Sequence, residues 1–129
     1  MATRTTIGDR LAKAREYIDR FTPSEAKAAA ALGAVIVDTR CAEDRRREGR
    51  VDGAVEVPLS VLEWRCDPES RHSDDRLADL DLQIIVMCND GFSSSLAAAS
   101  LRDLGFGRAG DMVGGFRAWV DARLPVTPT

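Results

Sequence analysis

The chain has 129 residues, a formal charge of −3 and a pI near 5.2, which is long enough for one domain with a sizeable hydrophobic core. The acidic balance argues against a nucleic-acid-binding module, whose mark is clustered excess Lys and Arg. The one basic cluster, Arg45-Arg46-Arg47, is flanked by Glu43, Asp44 and Glu48 and reads as a solvated helix face.

Ile7, Leu11, Ala14 and Ile18 recur at helical spacing and predict an amphipathic helix over 8–20, an extension at residues 1–20 ahead of a main domain at 21–129. A second helix starts with Thr22 as N-cap, Pro23 at its first position and Glu25 completing a capping box, and Gly33 stops it. Ala34 to Asp38 is a short apolar run ending in an acid, as expected of a strand buried on both faces. Ala42 to Glu48 reads as a short charged helix, and Gly53 to Pro58 as another strand closed by a proline. From Leu59 to Asp81 the chain makes an excursion with a helical turn, a loop and a second turn near Leu77 to Leu80. It returns as the strand Gln83 to Met87. A helix with Ala97, Leu101 and Leu104 on one stripe stops at Gly105. Arg108 to Val113 is the last strand, and Gly114-Gly115 opens a final helix through Phe116, Trp119 and Val120 that ends before Pro125. Short apolar strands alternating with helices predict an α/β fold: a small, mainly parallel central sheet with helices on both faces.

The longest apolar run, Ala28 to Val37, is too short for the roughly 20 residues of a membrane span. Met1 to Arg20 lacks a signal-type apolar core and carries Asp9, Glu16 and Asp19, so the expected location is the cytoplasm. Three cysteines without a C-x-x-C pair indicate neither a disulfide framework nor a metal site, and nothing calls for a cofactor.

The chemistry concentrates at Cys88, which ends a predicted strand and precedes the small-residue loop Asn89-Asp90-Gly91-Phe92-Ser93-Ser94-Ser95 and an alanine-rich helix. Loop amides and a helix N-terminus converging on the sulfur would favour a thiolate, the nucleophilic form. Gly91 can take positive φ, and the serines offer hydroxyl donors. His72, the single histidine, lies in a polar stretch and reads as a surface residue. Cys41 to Arg47 fits the Cys-x5-Arg spacing of phosphatases, but Glu43 and Asp44 would repel a phosphate dianion and no glycine lets the loop wrap it. At the Cys88 loop the corresponding arginine position is Ser94, so the fixed guanidinium of phosphoryl transfer is missing. Asp38 and Arg40 read as a structural pair, Gly114 and Gly115 as sites of close backbone approach, and Trp119 as core.

Four separated segments resemble a single-domain rhodanese over roughly 22–127. Val37-Asp38-Thr39-Arg40 is similar to the family's strand ending in Asp-x-Arg, and Gly49-Arg50-Val51-Asp52-Gly53-Ala54 to its Gly-His-Ile-x-Gly-Ala turn. Cys88-Asn89-Asp90-Gly91-Phe92-Ser93-Ser94 resembles the Cys-x-x-Gly-x-Arg/Ser-Ser active loop. Leu104-Gly105-Phe106, Val113-Gly114-Gly115-Phe116, Ala118-Trp119 and Leu124-Pro125-Val126 resemble the closing segment.

The resemblance implies a sulfurtransferase in which Cys88 takes a sulfane sulfur from a small anionic donor such as thiosulfate, or from a sulfur-delivering protein. It then hands the sulfur to cyanide or a thiol through a cysteine persulfide. Asn89, Asp90, Gly91, Phe92, Ser93 and Ser94 would bind the substrate. Ser93 stands where the family often has arginine, and Asp90 would oppose the thiolate if it pointed inward; an outward Asp90 with Phe92 closing over the pocket is the benign arrangement. Arg65 is a candidate to replace the missing charge by reaching over the pocket mouth, or else a surface residue beside a partly buried Trp64. The other functional class is a rhodanese-like binding module with an inert Cys88 that recognises a partner protein or an anion. No nucleic acid or membrane enters either reading, and the oligomeric state, monomer or homodimer, stays open.

Overall fold

A computed structural model describes residues 4–129. Its strands are β1 (Asp19–Phe21), β2 (Val35–Asp38), β3 (Val55–Glu56), β4 (Ile84–Met87) and β5 (Gly110–Met112). They form one parallel sheet in the order β1-β5-β4-β2-β3. The helices are α1 (Ile7–Arg15), α2 (Pro23–Ala31), α3 (Ala42–Glu48), α4 (Leu62–Cys66), α5 (Ser93–Asp103) and α6 (Gly115–Asp121).

Alternation along the strands divides the interior into two cores, because successive side chains point to opposite faces. Val37, Ile84 and Val86 meet Ala14, Leu62, Cys66, Ala98 and Leu101 on the face covered by α1, α4 and α5. Ile36, Ile85 and Met87 meet Ala26, Phe116 and Trp119 on the face covered by α2 and α6. All four residues of β4 are fully buried. At about 1.5–3 kcal/mol for each large apolar side chain withdrawn from water, this central strand is a firm support for whatever follows it.

The second helix forms as its sequence signals predict. The Thr22 hydroxyl accepts from the Glu25 amide and the Glu25 carboxylate from the Thr22 amide, with Pro23 at the start. The first helix does not run to Arg20 as the apolar spacing predicts: it stops at Arg15, and Asp19–Phe21 become the edge strand β1, paired with β5. The boundary expected after residue 20 therefore falls inside a strand of the sheet. The reason lies across the chain, at Gly110, where a Cβ would stand 2.2 Å from the Asp19 carbonyl oxygen. Only a residue without a side chain lets the two backbones pair there. Ile18, read as the end of the helical stripe, still reaches the core from the turn before β1.

Candidate active site

β2 leads through α3 to β3 on one side of the sheet, while β4 leads through α5 to β5 on the other. The crevice beyond the carboxyl ends of β2 and β4 is thus a topological switch point, where open α/β sheets bind ligands. Cys88 stands there, directly after β4. A cavity of about 370 Å³ opens at this point, lined by Thr39, Arg40, Cys41 and Asp44 from the β2 side and by Cys88, Asn89, Asp90, Phe92 and Ser93 from the β4 side.

Two glycines of the α6 entry shape the cysteine loop. The Phe116 amide donates to the Cys88 carbonyl at 2.8 Å and the Arg117 amide to the Asn89 carbonyl at 3.1 Å. A Cβ on Gly115 would lie 2.4 Å from that Cys88 oxygen, and one on Gly91 only 2.6 Å from the Gly114 nitrogen. The Cys88 and Asn89 carbonyls are tied to the α6 entry in this way, while the Gly91 and Ser94 amides bond the sulfur. Gly91, at φ +85°, turns its N–H onto Cys88 Sγ at 3.1 Å.

Cys88 is 7 % exposed. Burial pushes its thiol up, but the hydroxyls of Ser94 and Ser93 and the amides of Ser94 and Gly91 outweigh burial and hold the pKa below the ordinary cysteine value. Ser94 has a single hydroxyl proton, and Asp111 Oδ2 accepts it at 2.8 Å. That hydroxyl serves the sulfur only when it turns from Asp111, so Ser93 and the two amides are the uncontested donors. Cys66 is the opposite case: burial in the core, reinforced by Glu63 and Asp74, pushes its thiol up to about 12. Cys41 is exposed at the cavity edge.

The structure gathers Asn89, Asp90, Phe92 and Ser93 around the Cys88 cavity and puts Gly91 and Ser94 beside the sulfur. Asp90 is turned outward, paired with Arg117 at 2.7 Å. Phe92 is exposed and lies under the Arg15 guanidinium, 5.9 Å from the ring centroid. Asn89 Nδ2 donates to Asp44 Oδ2 at 3.0 Å, tying the loop to α3; with Cys41 and Arg47 this bond holds the Asp44 carboxyl below its usual range. Arg65 does not reach the pocket. Its Nη1 donates to the His72 carbonyl at 2.9 Å, and it lies outside the cavity lining because α4, which carries it, packs against α5. Asp38 and Arg40 form the expected buried pair, closed by Nη2 to Oδ2 at 2.9 Å, with Arg40 stacked 3.7 Å from the centroid of Phe116.

Sequence reasoning missed three charged residues behind the loop. Asp111, fully buried on β5, accepts from Ser94 and Ser95 and from Arg20, whose Nε lies 2.9 Å from Oδ1. Arg15 and Arg20 both donate to the Gly91 carbonyl, at 2.9 and 3.2 Å. One signal was available: an acid inside the short segment Gly110-Asp111-Met112 of a buried strand must find a cation, since buried charges are paired. Its partner could not be named without the position of β1.

The thiosulfate sulfurtransferase GlpE of Pseudomonas fluorescens (strain SBW25) is 36 % identical over 101 residues, covering 78 % of this chain and 83 % of the relative. A protein of unknown function from Rhodopseudomonas palustris CGA009, described as a possible tyrosine phosphatase, superposes with TM-score 0.87 at 30 % identity over 98 % of this chain and 96 % of its own. A thiosulfate sulfurtransferase from Pseudomonas aeruginosa shares the fold, with TM-score 0.73 at 21 % identity over 95 % of this chain and 22 % of that larger one. The rhodanese-like domain family matches residues 22–122, the span that carries β2 to β5 and the cysteine loop, and the chain belongs to that family.

Proposed function

We propose that this rhodanese-family chain is a sulfurtransferase that works through a persulfide on Cys88. The observation that carries the reading is the sulfur itself, set at the sheet's switch point with the Gly91 amide at 3.1 Å and its pKa depressed. The thiolate attacks the outer sulfur of thiosulfate; an S–S bond to Cys88 forms, the S–S bond of the donor breaks, and sulfite leaves with the electron pair. The acceptor, cyanide or a thiolate, then attacks the terminal sulfur, and the Cys88 thiolate leaves unchanged. The kinetics are ping-pong. A persulfide is an anion, and the Gly91 and Ser94 amides with the Ser93 hydroxyl stabilise it as they do the thiolate. Asn89, Asp90 and Phe92 form the walls against which the donor is held, the outward Asp90 leaving the anion's path free of its charge. The donor is thiosulfate or a persulfide, free or presented by a protein.

Phosphoryl transfer, suggested by the description of the Rhodopseudomonas relative, is the weaker reading for this chain. Ser94 holds the position of the phosphate-binding arginine, so the loop lacks the guanidinium that would clamp a transferring phosphoryl group. Among the described residues no helix is long and apolar enough to cross a membrane. Three unpaired cysteines, one of them exposed, fit a reducing compartment, and the cytoplasm is the proposed location.

The test is intact-protein mass spectrometry of the natural chain and of Cys88→Ser after incubation with thiosulfate and, separately, with a low-molecular-weight persulfide. The expected result is one added sulfur, dependent on Cys88 and discharged by cyanide as thiocyanate. A folded, reduced protein that takes sulfur from neither donor would be a binding module instead, and hydrolysis of an aryl phosphate would restore the phosphatase reading.

A further inference from the structure

We infer that Arg15 and Arg20 are positioning residues for the Cys88 loop: both hold the Gly91 carbonyl away from the sulfur, and Arg15 supplies the fixed positive charge that the loop's own sequence lacks. Both precede the family-matched region, which begins at residue 22. The inference rests on the reading above only in taking Cys88 as the reacting thiol.

Cys88 to Ser95 contains one acid, Asp90, and no Lys or Arg. The cations come from elsewhere. Arg15 Nη2 lies 2.9 Å and Arg20 Nη2 3.2 Å from the Gly91 carbonyl oxygen, so one backbone acceptor takes two guanidiniums. The same residue donates its N–H to Cys88 Sγ at 3.1 Å. Gly91 has no side chain to fix its torsions, and the arginines do so in its place. If the carbonyl swung toward the pocket, its oxygen would face the thiolate and repel it. Arg15 Nε also donates to Ser95 Oγ at 3.0 Å, and the Ser95 hydroxyl donates to Asp111 Oδ2 at 2.7 Å. Arg20 closes the circuit on Asp111 Oδ1 at 2.9 Å. The two guanidiniums thus bind the start of α5, the carbonyl of the loop and the buried acid of β5 into one unit.

Their charges differ in effect. Arg20 is neutralised by Asp111, whereas Arg15 binds a carbonyl, a hydroxyl and the face of Phe92. The field of Arg15 is therefore free to favour an anion on the loop, and α1 ends at the residue that provides it.

Arg15→Ala is the decisive variant, since removing Arg20 would strand a buried carboxylate. The rate of Cys88 alkylation by iodoacetamide is measured against pH, with the site identified by mass, alongside kcat and KM for thiosulfate with cyanide as acceptor. Alkylation needs no sulfur donor, so the result is readable even if sulfur loading fails. The alkylation midpoint is expected to rise by about one pH unit, a tenfold change in the ionisation equilibrium, and kcat near neutral pH to fall about tenfold while KM changes little. Arg15→Lys, which restores the charge without the planar fork, should recover part of the midpoint. Arg10→Ala, which removes a charge from the same helix, should leave both readouts at the natural values. An unmoved midpoint in folded Arg15→Ala overturns the inference, and so does an equal shift in Arg10→Ala. Should Arg15→Ala not fold, Arg15→Gln is read by the same criteria.

Discussion

Replacing Asp111 by alanine strips the site of its buried acceptor and tests how firmly the cysteine loop is tied to the sheet. The carboxylate accepts four hydrogen bonds, from Ser94 at 2.8 Å, from Ser95 at 2.7 Å and from Arg20 at 2.9 and 3.2 Å. Asp111 itself is fully buried, whereas the Arg20 side chain retains 22 % exposure. A hydrogen bond to a charged group contributes about 1.5–3 kcal/mol, and breaking a buried ion pair by removing one partner costs about 3–5 kcal/mol. The four bonds share one carboxylate and do not add. Water can also reach Arg20, which places the expected loss at about 3 kcal/mol, the low end of that range. Arg20→Ala should cost as much or more, because it leaves the charge on the buried member with only two hydroxyl donors. The double variant should cost less than the sum of the singles by at least about 1 kcal/mol, the signature of direct coupling. Urea unfolding followed by circular dichroism, with unchanged m-values as the check on two-state behaviour, gives all three numbers. Additive effects, or a loss below about 1 kcal/mol for Asp111→Ala, would show that the pair is no more than a solvated surface bridge and refute the reasoning.

Gly115→Ala must displace backbone, since its Cβ would stand 2.4 Å from the Cys88 carbonyl at φ +63°; sulfur loading of Cys88 should be lost with a fall in stability beyond the 1–2 kcal/mol of the left-handed backbone alone, checked by mass spectrometry and thermal melting. Cys41→Ser should leave Cys88 loading intact, because Cys41 lies at the exposed cavity edge without the amide donors that face Cys88; loss of loading would give Cys41 a part in the transfer. Cys66, held up to about 12 by burial, should resist alkylation in the folded protein when Cys88 reacts fully at pH 8. Its folded pKa lies above its unfolded value, so the stability linked to it is complete below the unfolded pKa, near 9, and falls as pH rises toward 12. In Cys66→Ala that share of the alkaline loss should disappear from a series of urea midpoints.

Much of the fold can be read from the chain because its signals are local. Thr22-Pro23-Ser24-Glu25 carries its own helix start, and the apolar stretch before Cys88 is a strand buried on both faces; both are as the spacing of residue types predicts. The cysteine loop is legible as a candidate site for the same reason, since a thiol between an apolar strand and a run of small residues needs no distant partner to be recognised. The structural pairing of Asp38 with Arg40 and the close approach at Gly114 and Gly115 were also within reach. Arg65, by contrast, is a candidate only because the loop lacks a cation, and nothing in its sequence neighbourhood shows that α4 packs on α5 with Arg65 bound to the His72 carbonyl.

By itself the sequence determined the alternation of strands and helices, the placement of Cys88 at a strand end and the donors within its loop, all consequences of residue type over a few neighbouring positions. Only the tertiary structure decided that Asp19–Phe21 leave the helical pattern to pair with β5, because that choice depends on the absence of a side chain at Gly110, far along the chain. It also decided where the site's positive charge comes from. Arg15 and Arg20 reach the Gly91 carbonyl only once the sheet order sets β1 beside β5 and α1 against α5. A long-range ion pair or a carbonyl clamp leaves no periodicity in the sequence, since its geometry is created by backbone pairing between residues distant in the chain.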